Sequence, residues 1–127
     1  DERSNRLFTG DAIGSGYGVW MQTPTAVPLE TYYESLVHLL KWLVDRGGRM
    51  SFHGGHRYQM FQSTHIPAFN PPSLGLLCDL IDLVDQIVHG KIVGRISNVD
   101  NIMELEPVLY AAYGRAEIQY KASNIRI

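Results

Sequence analysis

After the polar residues 1–5, a short apolar run ends at glycine, and the same arrangement returns further along the chain. Residues 6–9 and residues 49–53 are apolar segments too short for helices, so both predict buried strands. The glycine-rich residues 10–18 predict a loop, and residues 19–21 form a short apolar patch after it.

A helix is predicted between these two strands, over residues 29–46. Its apolar positions recur with the 3.6-residue period of an amphipathic helix. They are Tyr33, Leu36, Val37, Leu40, Leu43 and Val44. Gly47 and Gly48 end it, because glycine tolerates the left-handed conformation at a helix C-terminus.

A second helix is predicted in the second half of the chain, after a proline-containing loop at residues 57–72. Ser73 is a plausible N-cap for a helix that ends at His89 and Gly90. Its apolar stripe consists of Leu76, Leu77, Leu80, Ile81, Val84, Ile87 and Val88, and Asp79, Asp82 and Asp85 lie on its polar side. Burying this stripe contributes roughly 10–20 kcal/mol before ordering entropy is subtracted, so the helix needs a sheet or a partner to pack on.

The tail of the chain predicts three strands, at residues 91–96, 108–113 and 116–121. Gly114 and Arg115 form a hairpin turn between the last two. Ala116, Ile118 and Tyr120 alternate with Glu117, Gln119 and Lys121, which predicts one polar face. The order strand, helix, strand, helix, strands predicts an α/β fold of mixed α+β layers with helices packed on sheet.

Composition excludes several classes of function. The net charge is −2 with acidic and basic residues mixed, so no nucleic-acid partner is indicated. The apolar runs are too short to span a membrane. Cys78 is the only cysteine, which rules out an intrachain disulfide; it is expected to be a small core residue, and this usage is compatible with a cytoplasmic protein.

The two strand ends carry the most specific chemistry of the chain. Leu7-Phe8-Thr9-Gly10-Asp11-Ala12 ends a strand with a carboxylate, and Phe52-His53-Gly54-Gly55-His56 ends another with an imidazole. Glycine lets the backbone pass close to a ligand at the rim of a sheet. Asp11 and His56 at one rim would make half of a zinc site. The alternatives are an aspartate that caps a turn and a surface histidine; His53 is expected to have a packing or outer-shell role.

These two motifs resemble two metal-binding motifs of the metallo-β-lactamase-fold hydrolases. Residues 7–16 are similar to the metal-binding aspartate motif of that family, and residues 52–56 to its last metal-binding histidine motif, in the same order and at a matching distance. The resemblance implies that residues 1–127 are a single partial domain, the C-terminal half of a four-layer αββα sandwich.

The resemblance also implies a partner. The family's leading His-x-His-x-Asp-His cluster and a further histidine precede the aspartate motif, and this chain contains neither. The N-terminal half is therefore expected from the same or a companion chain, and a homodimer is a further possibility. The chain by itself supplies about two ligands, whereas a catalytic zinc needs three protein ligands and a water. The isolated chain is therefore expected to be inactive.

The implied cofactor is zinc, as one or two ions, with other divalent metals as alternatives. Asp11 would bridge the metals and hold the attacking water, and His56 would complete the second site. A metal-bound hydroxide would attack an ester, thioester, lactone, lactam or phosphodiester bond of a small-molecule substrate. Tyr17, Trp20, Tyr58 and His65 are candidate substrate-binding residues by position.

Two other classes of function stay open. The missing first motif favours a non-catalytic fragment or interaction module that lacks the first metal-binding half. A flavoprotein-type partner domain is a weaker alternative, and no flavin site is recognisable in the sequence. The glycines of residues 13–18 match neither the GxxxxGK[ST] nor the GxGxxG phosphate-binding pattern.

Overall fold

The structure, a computed structural model, describes residues 6–10, 12–13, 19–23, 25–47, 50–54, 73–96 and 106–126. Its elements are β1 (Arg6–Gly10), β2 (Val19–Trp20), α1 (Leu29–Asp45), β3 (Ser51–Gly54), α2 (Leu74–Val88), β4 (Arg95–Ile96), β5 (Leu109–Tyr113), β6 (Ala116–Tyr120) and a 3-10 turn, Ala122–Asn124. The two helices and six strands of these segments confirm the predicted α/β class. Within the same segments, no helix has both the length and the apolar character that crossing a membrane requires.

The strands form two separate sheets. β1 and β3 pair in parallel as a two-stranded sheet, and α1 lies between them in the chain. The second sheet has the order β2-β6-β5-β4, in which β2 runs parallel to β6 and the other pairs are antiparallel. The predicted hairpin between β5 and β6 is confirmed, and Gly114 in its turn has a φ of +57°.

Helix α2 is the centre of the core because it contacts α1 on one side and β5 and β6 on the other. Its predicted apolar stripe is confirmed except at Val88, which is only half-buried, and Leu83 joins the fully buried positions. Cys78 is half-buried on the same helix. A helix covered from two directions buries a wider stripe than one covered from a single direction.

The predicted stripe of α1 is wrong at two positions. Val37 and Val44 are 38% and 61% exposed, whereas the buried residues of the helix are Leu29, Leu36 and Leu43. These three leucines are seven residues apart, and each valine follows a leucine by one residue, which is about 100° around the helix. Because α1 packs on α2 along one narrow line, the valines turn to solvent.

Both helices begin and end at the predicted residues, within a residue. Gly47 follows α1 with a φ of +76°. The Ser73 hydroxyl accepts a hydrogen bond from the Leu76 amide at 3.0 Å, which confirms it as the N-cap of α2. At the other end, the His89 amide donates to the Asp85 carbonyl at 3.1 Å, and His89 Nδ1 lies 2.9 Å from the same oxygen.

Two predictions in the tail are corrected. Residues 91–96 are strand only at Arg95–Ile96, because the amides of Lys91 and Ile92 both turn back to the Gln86 carbonyl. Gln119 was expected on a wet face but is only 9% exposed. Its strand, β6, lies between β2 and β5, and the Gln22 side chain donates a hydrogen bond to Gln119 Oε1 at 3.1 Å.

The face of each sheet that turns away from the core keeps large apolar side chains exposed. On β1, Leu7 turns inward and Phe8 is 65% exposed. On β2, Val19 is buried and Trp20 is 51% exposed. Register places Trp20 in one cross-strand row with Gln119, Tyr110 and Arg95. We use the term outer sheet face for this face of either sheet: Phe8 and His53 lie on that of the two-stranded sheet, and Trp20, Gln119, Tyr110 and Arg95 on that of the four-stranded sheet.

Candidate functional site

The two strands that precede the candidate ligands are direct neighbours. β1 and β3 run parallel, with Leu7 opposite Phe52, Phe8 opposite His53 and Gly10 opposite Gly54. The carboxyl ends of parallel neighbours lie at the same edge of a sheet. In the sequence, Asp11 follows β1 at once and His56 follows β3 by two residues.

Asp11 and His56 themselves lie outside the described residues, and their separation stays a prediction. The same holds for Tyr17, Tyr58 and His65 among the candidate substrate-binding residues. Within the segments that the structure does describe, no group of three or more His, Cys, Asp or Glu side chains is placed to hold a metal ion.

The chain on either side of Asp11 is held by hydrogen bonds. The Ala12 amide donates a hydrogen bond to the Thr9 carbonyl at 3.0 Å. The Tyr32 hydroxyl, on α1, donates to the Ala12 carbonyl at 2.6 Å. Burial raises the pKa of Tyr32 well above its ordinary value, so the hydroxyl keeps its proton for this bond.

A side-chain bond also joins the ends of the two strands. The Thr9 hydroxyl donates to the His53 carbonyl at 3.3 Å, across β1 and β3. The register shifts between Phe8 and Gly10, so this link lies at an irregular point of the pairing. It ties the end of β1 to the end of β3.

His53 has the contacts of a packing residue. Its Nε2 lies 3.1 Å from the Ser51 hydroxyl oxygen. Its ring centroid lies 5.3 Å from that of Phe8, with the planes tilted by 33°. These contacts with Ser51 on β3 and Phe8 on β1 orient the His53 ring.

Trp20 is the one candidate substrate-binding residue whose position the structure describes. It lies on β2, in the four-stranded sheet, and not on the β1–β3 sheet that leads to Asp11 and His56. Its exposed indole therefore belongs to the outer sheet face.

The four-stranded sheet carries a polar cluster of Glu117, Tyr110 and Arg95 that the sequence analysis did not predict. The Glu117 carboxylate and the Tyr110 hydroxyl are hydrogen-bonded, and the Arg95 guanidinium lies 4.9 Å from the centre of the Tyr110 ring. Burial raises the pKa of Glu117, and the bond from Tyr110 opposes that shift. The predicted hairpin already brings Tyr110 beside Glu117 and Gln119, but the pairing of β4 with β5, which adds Arg95, has no signal in the sequence.

Comparisons of this chain with protein-family models, with curated proteins and with solved structures find no match.

Proposed function

We propose that the complete protein is a zinc-dependent hydrolase of the metallo-β-lactamase superfamily, with Asp11 and His56 as metal ligands. The observation that carries the proposal is the parallel pairing of β1 with β3, with Gly10 and Gly54 opposite each other. Two sequence motifs that were expected to end at one rim are thus preceded by adjacent strands with the same direction. This supports a shared site but leaves the distance between the two side chains to experiment.

The donor set of this proposal suits zinc, because carboxylate oxygen and imidazole nitrogen are both ordinary zinc ligands. Other divalent cations bind the same groups with different preference. A bound zinc supplies an acidified water and polarises the bond to be cleaved. The chain's own part is to hold the residues on either side of Asp11, through the bond from the Ala12 amide to the Thr9 carbonyl, and to join β1 to β3 through the bond from the Thr9 hydroxyl to the His53 carbonyl.

The substrate is proposed only by bond type: an ester, thioester, lactone, lactam or phosphodiester of a small molecule. The fold and the ligand set do not choose among these, because one fold hosts many reactions.

The outer sheet face supports the second part of the proposal, that this chain is half of an αββα sandwich. Parallel strands are almost always covered on both faces, yet Phe8 and Trp20 are exposed on strands that each pair in parallel. Gln22 is buried, and its Oε1 has no hydrogen-bond partner among the described residues. A complementary half, from the same chain, a companion chain or a second copy, would cover this face and provide the other metal ligands.

The proposal is tested in the complete protein with Asp11→Asn and, as the matched control, His53→Ala. Asparagine keeps the shape of aspartate but loses the negative charge that holds two cations, so bound zinc and turnover should both fall. His53→Ala should cost no more than about 100-fold, the usual upper range for groups outside the ligand set.

The measurements are zinc content and hydrolysis of one compound from each of the five substrate classes. Full zinc occupancy and full rate in the Asp11→Asn variant would mean that Asp11 is a turn residue. Absence of zinc and of hydrolysis from the unsubstituted complete protein would favour the alternative, a non-catalytic interaction module that retains half of the fold.

A further inference from the structure

We propose that residues 122–126 act as a clasp: the carboxylates of Glu106 and Glu30 hold it closed against the fold, and acid opens it as one unit. The clasp follows β6 and consists of the 3-10 turn Ala122–Asn124 and the two residues after it. The inference uses none of the candidate metal ligands and does not depend on the proposed function.

Two carboxylates from distant parts of the chain bind the backbone of the clasp. Glu106, which precedes β5, accepts hydrogen bonds from the Ser123 amide at 2.9 Å and from the Ser123 hydroxyl at 2.6 Å. Glu30, in the first turn of α1, accepts a hydrogen bond from the Arg126 amide at 2.7 Å. Such bonds are stronger while the carboxylate is charged. The closed clasp therefore joins the start of α1 to the segment before β5.

Bonds within the clasp link the two contacts to each other. The Lys121 amide donates to Asn124 Oδ1 at 2.6 Å, and the Asn124 amide donates back to the Lys121 carbonyl at 2.8 Å. Arg126 Nε donates to the Ser123 carbonyl at 3.3 Å, so the residue bound by Glu30 also holds the residue bound by Glu106. Loss of either carboxylate contact should therefore loosen the other.

Acid acts on the clasp through Glu106. Hydrogen bonds from the Ser123 hydroxyl and amide lower the pKa of Glu106 against a smaller opposing effect of burial, and the Lys121 charge adds to the lowering. The closed state is thus stabilised while Glu106 is charged, and this contribution is lost as the pH falls from 4.5 through the lowered value. The remaining charged side chains on the described residues of the clasp and of the first two turns of α1 are Arg126, Glu30 and Glu34.

Opening of the clasp uncovers part of the core. Ile125 packs against the buried core residues, and Asn124 is only 6% exposed, so both gain contact with solvent when the clasp opens. Segments with few buried apolar contacts open at a lower free energy than the core does. The clasp contributes one apolar side chain larger than alanine, and it should open while both helices stay folded.

The test is amide hydrogen exchange of the full-length protein, read as protection factors corrected for the intrinsic effect of pH. Glu106→Gln and Glu30→Gln should each lower the protection of both the Ser123 and the Arg126 amides by about 3-fold at neutral pH, as expected for exposed contacts to a charge. Glu34→Gln is the matched control on α1 and should change neither amide. Leu80, which is fully buried on α2, reports on the core.

In the unsubstituted protein, protection of Ser123 and Arg126 should fall together from about pH 5 to about pH 3, and the Glu106→Gln variant should show little of this fall. Joint changes at the two amides with Leu80 unchanged support the clasp. Changes confined to the amide bound by the substituted residue, unchanged protection in both variants, or an equal loss at Leu80 would overturn it. Equal protection of Ser123 at about pH 3 and about pH 7 would overturn opening by acid.

Discussion

In the turn between β5 and β6, the Asp79 carboxylate limits which residue can occupy position 114. Asp79 Oδ2, on α2, accepts a hydrogen bond from the Arg115 amide at 2.9 Å. A Cβ added to Gly114 would lie 2.5 Å from the same oxygen. Because Asp79 can move away only by breaking its bond to Arg115, glycine is required here for space as well as for its positive φ.

We expect Gly114→Ala to lower the free energy of unfolding by about 2–3 kcal/mol. Gly47→Ala is the matched control, since Gly47 also has a positive φ but nothing lies within 4 Å of an added Cβ. That variant should lose about 1 kcal/mol, the backbone cost alone. Urea unfolding of the complete protein measures both values. Equal losses would show that the Asp79 contact has no energetic weight.

Glu117 and Glu106 should affect the pH dependence of stability with opposite signs. Burial raises the pKa of Glu117, so its contribution to stability is lost as the pH rises from 4.5 through the raised value. The Ser123 hydroxyl and amide lower the pKa of Glu106, so its contribution is lost as the pH falls from 4.5 through the lowered value.

The measurement is the urea midpoint of each glutamine variant across this pH range, relative to the unsubstituted protein. Glu117→Gln should stabilise most at neutral pH, whereas Glu106→Gln should destabilise there and lose its effect in acid. If both substitutions stabilised the protein at neutral pH, or both destabilised it, the opposite pKa shifts assigned to the two glutamates would be wrong.

At the scale of elements, the N-cap of α2 is the clearest local determinant. The Ser73 hydroxyl satisfies the Leu76 amide, which otherwise has no partner at the helix start. Ser73→Ala should lower the free energy of unfolding by about 1 kcal/mol. Ser35→Ala is its control, because Ser35 is an exposed mid-helix residue whose hydroxyl bonds the Thr31 carbonyl. Thermal unfolding should separate the two; an equal shift would mean that the cap is not stabilising.

The elements also show why sequence patterns predict some features and miss others. Ser73, Gly47 and the leucines of α2 follow from local chemistry and period, and they are confirmed. Val37 and Val44 were misassigned because a period fixes the spacing of buried residues but leaves the phase open by one residue. The burial of Gln119 depends on β2, which is distant in sequence and pairs with β6 only in the folded chain.

The candidate site likewise has features that the sequence predicts and features that it does not. Two strands that end at glycine were predicted from their own residues, but their adjacency is a property of the sheet. The bond from Tyr32 to the Ala12 carbonyl joins a side chain to a backbone oxygen, and any residue at position 12 would offer that oxygen. No residue pattern could reveal it.

At the scale of the whole molecule, the outer sheet face should make the separate 127-residue chain associate with itself. Exposed apolar side chains on sheet faces favour such contacts. Sedimentation of the isolated chain should show species larger than its 14.3 kDa monomer. Replacement of Phe8 and Trp20 by lysine should reduce them, whereas Val44→Lys, on the helix side, should not. A monodisperse monomer that unfolds cooperatively would contradict the half-sandwich proposal.

The central position of α2 has a consequence for how the protein tolerates mutation over evolution. Leu77, Leu80, Leu83 and Val84 have no exposed surface, and the helix contacts α1 as well as the four-stranded sheet. Substitutions there should lower the cellular abundance of the protein. The exposed positions of α1, such as Val37 and Val44, lie outside this core and should accept substitutions with little effect on abundance. The sequence of α2 should therefore stay nearly fixed over evolution while the exposed face of α1 diversifies.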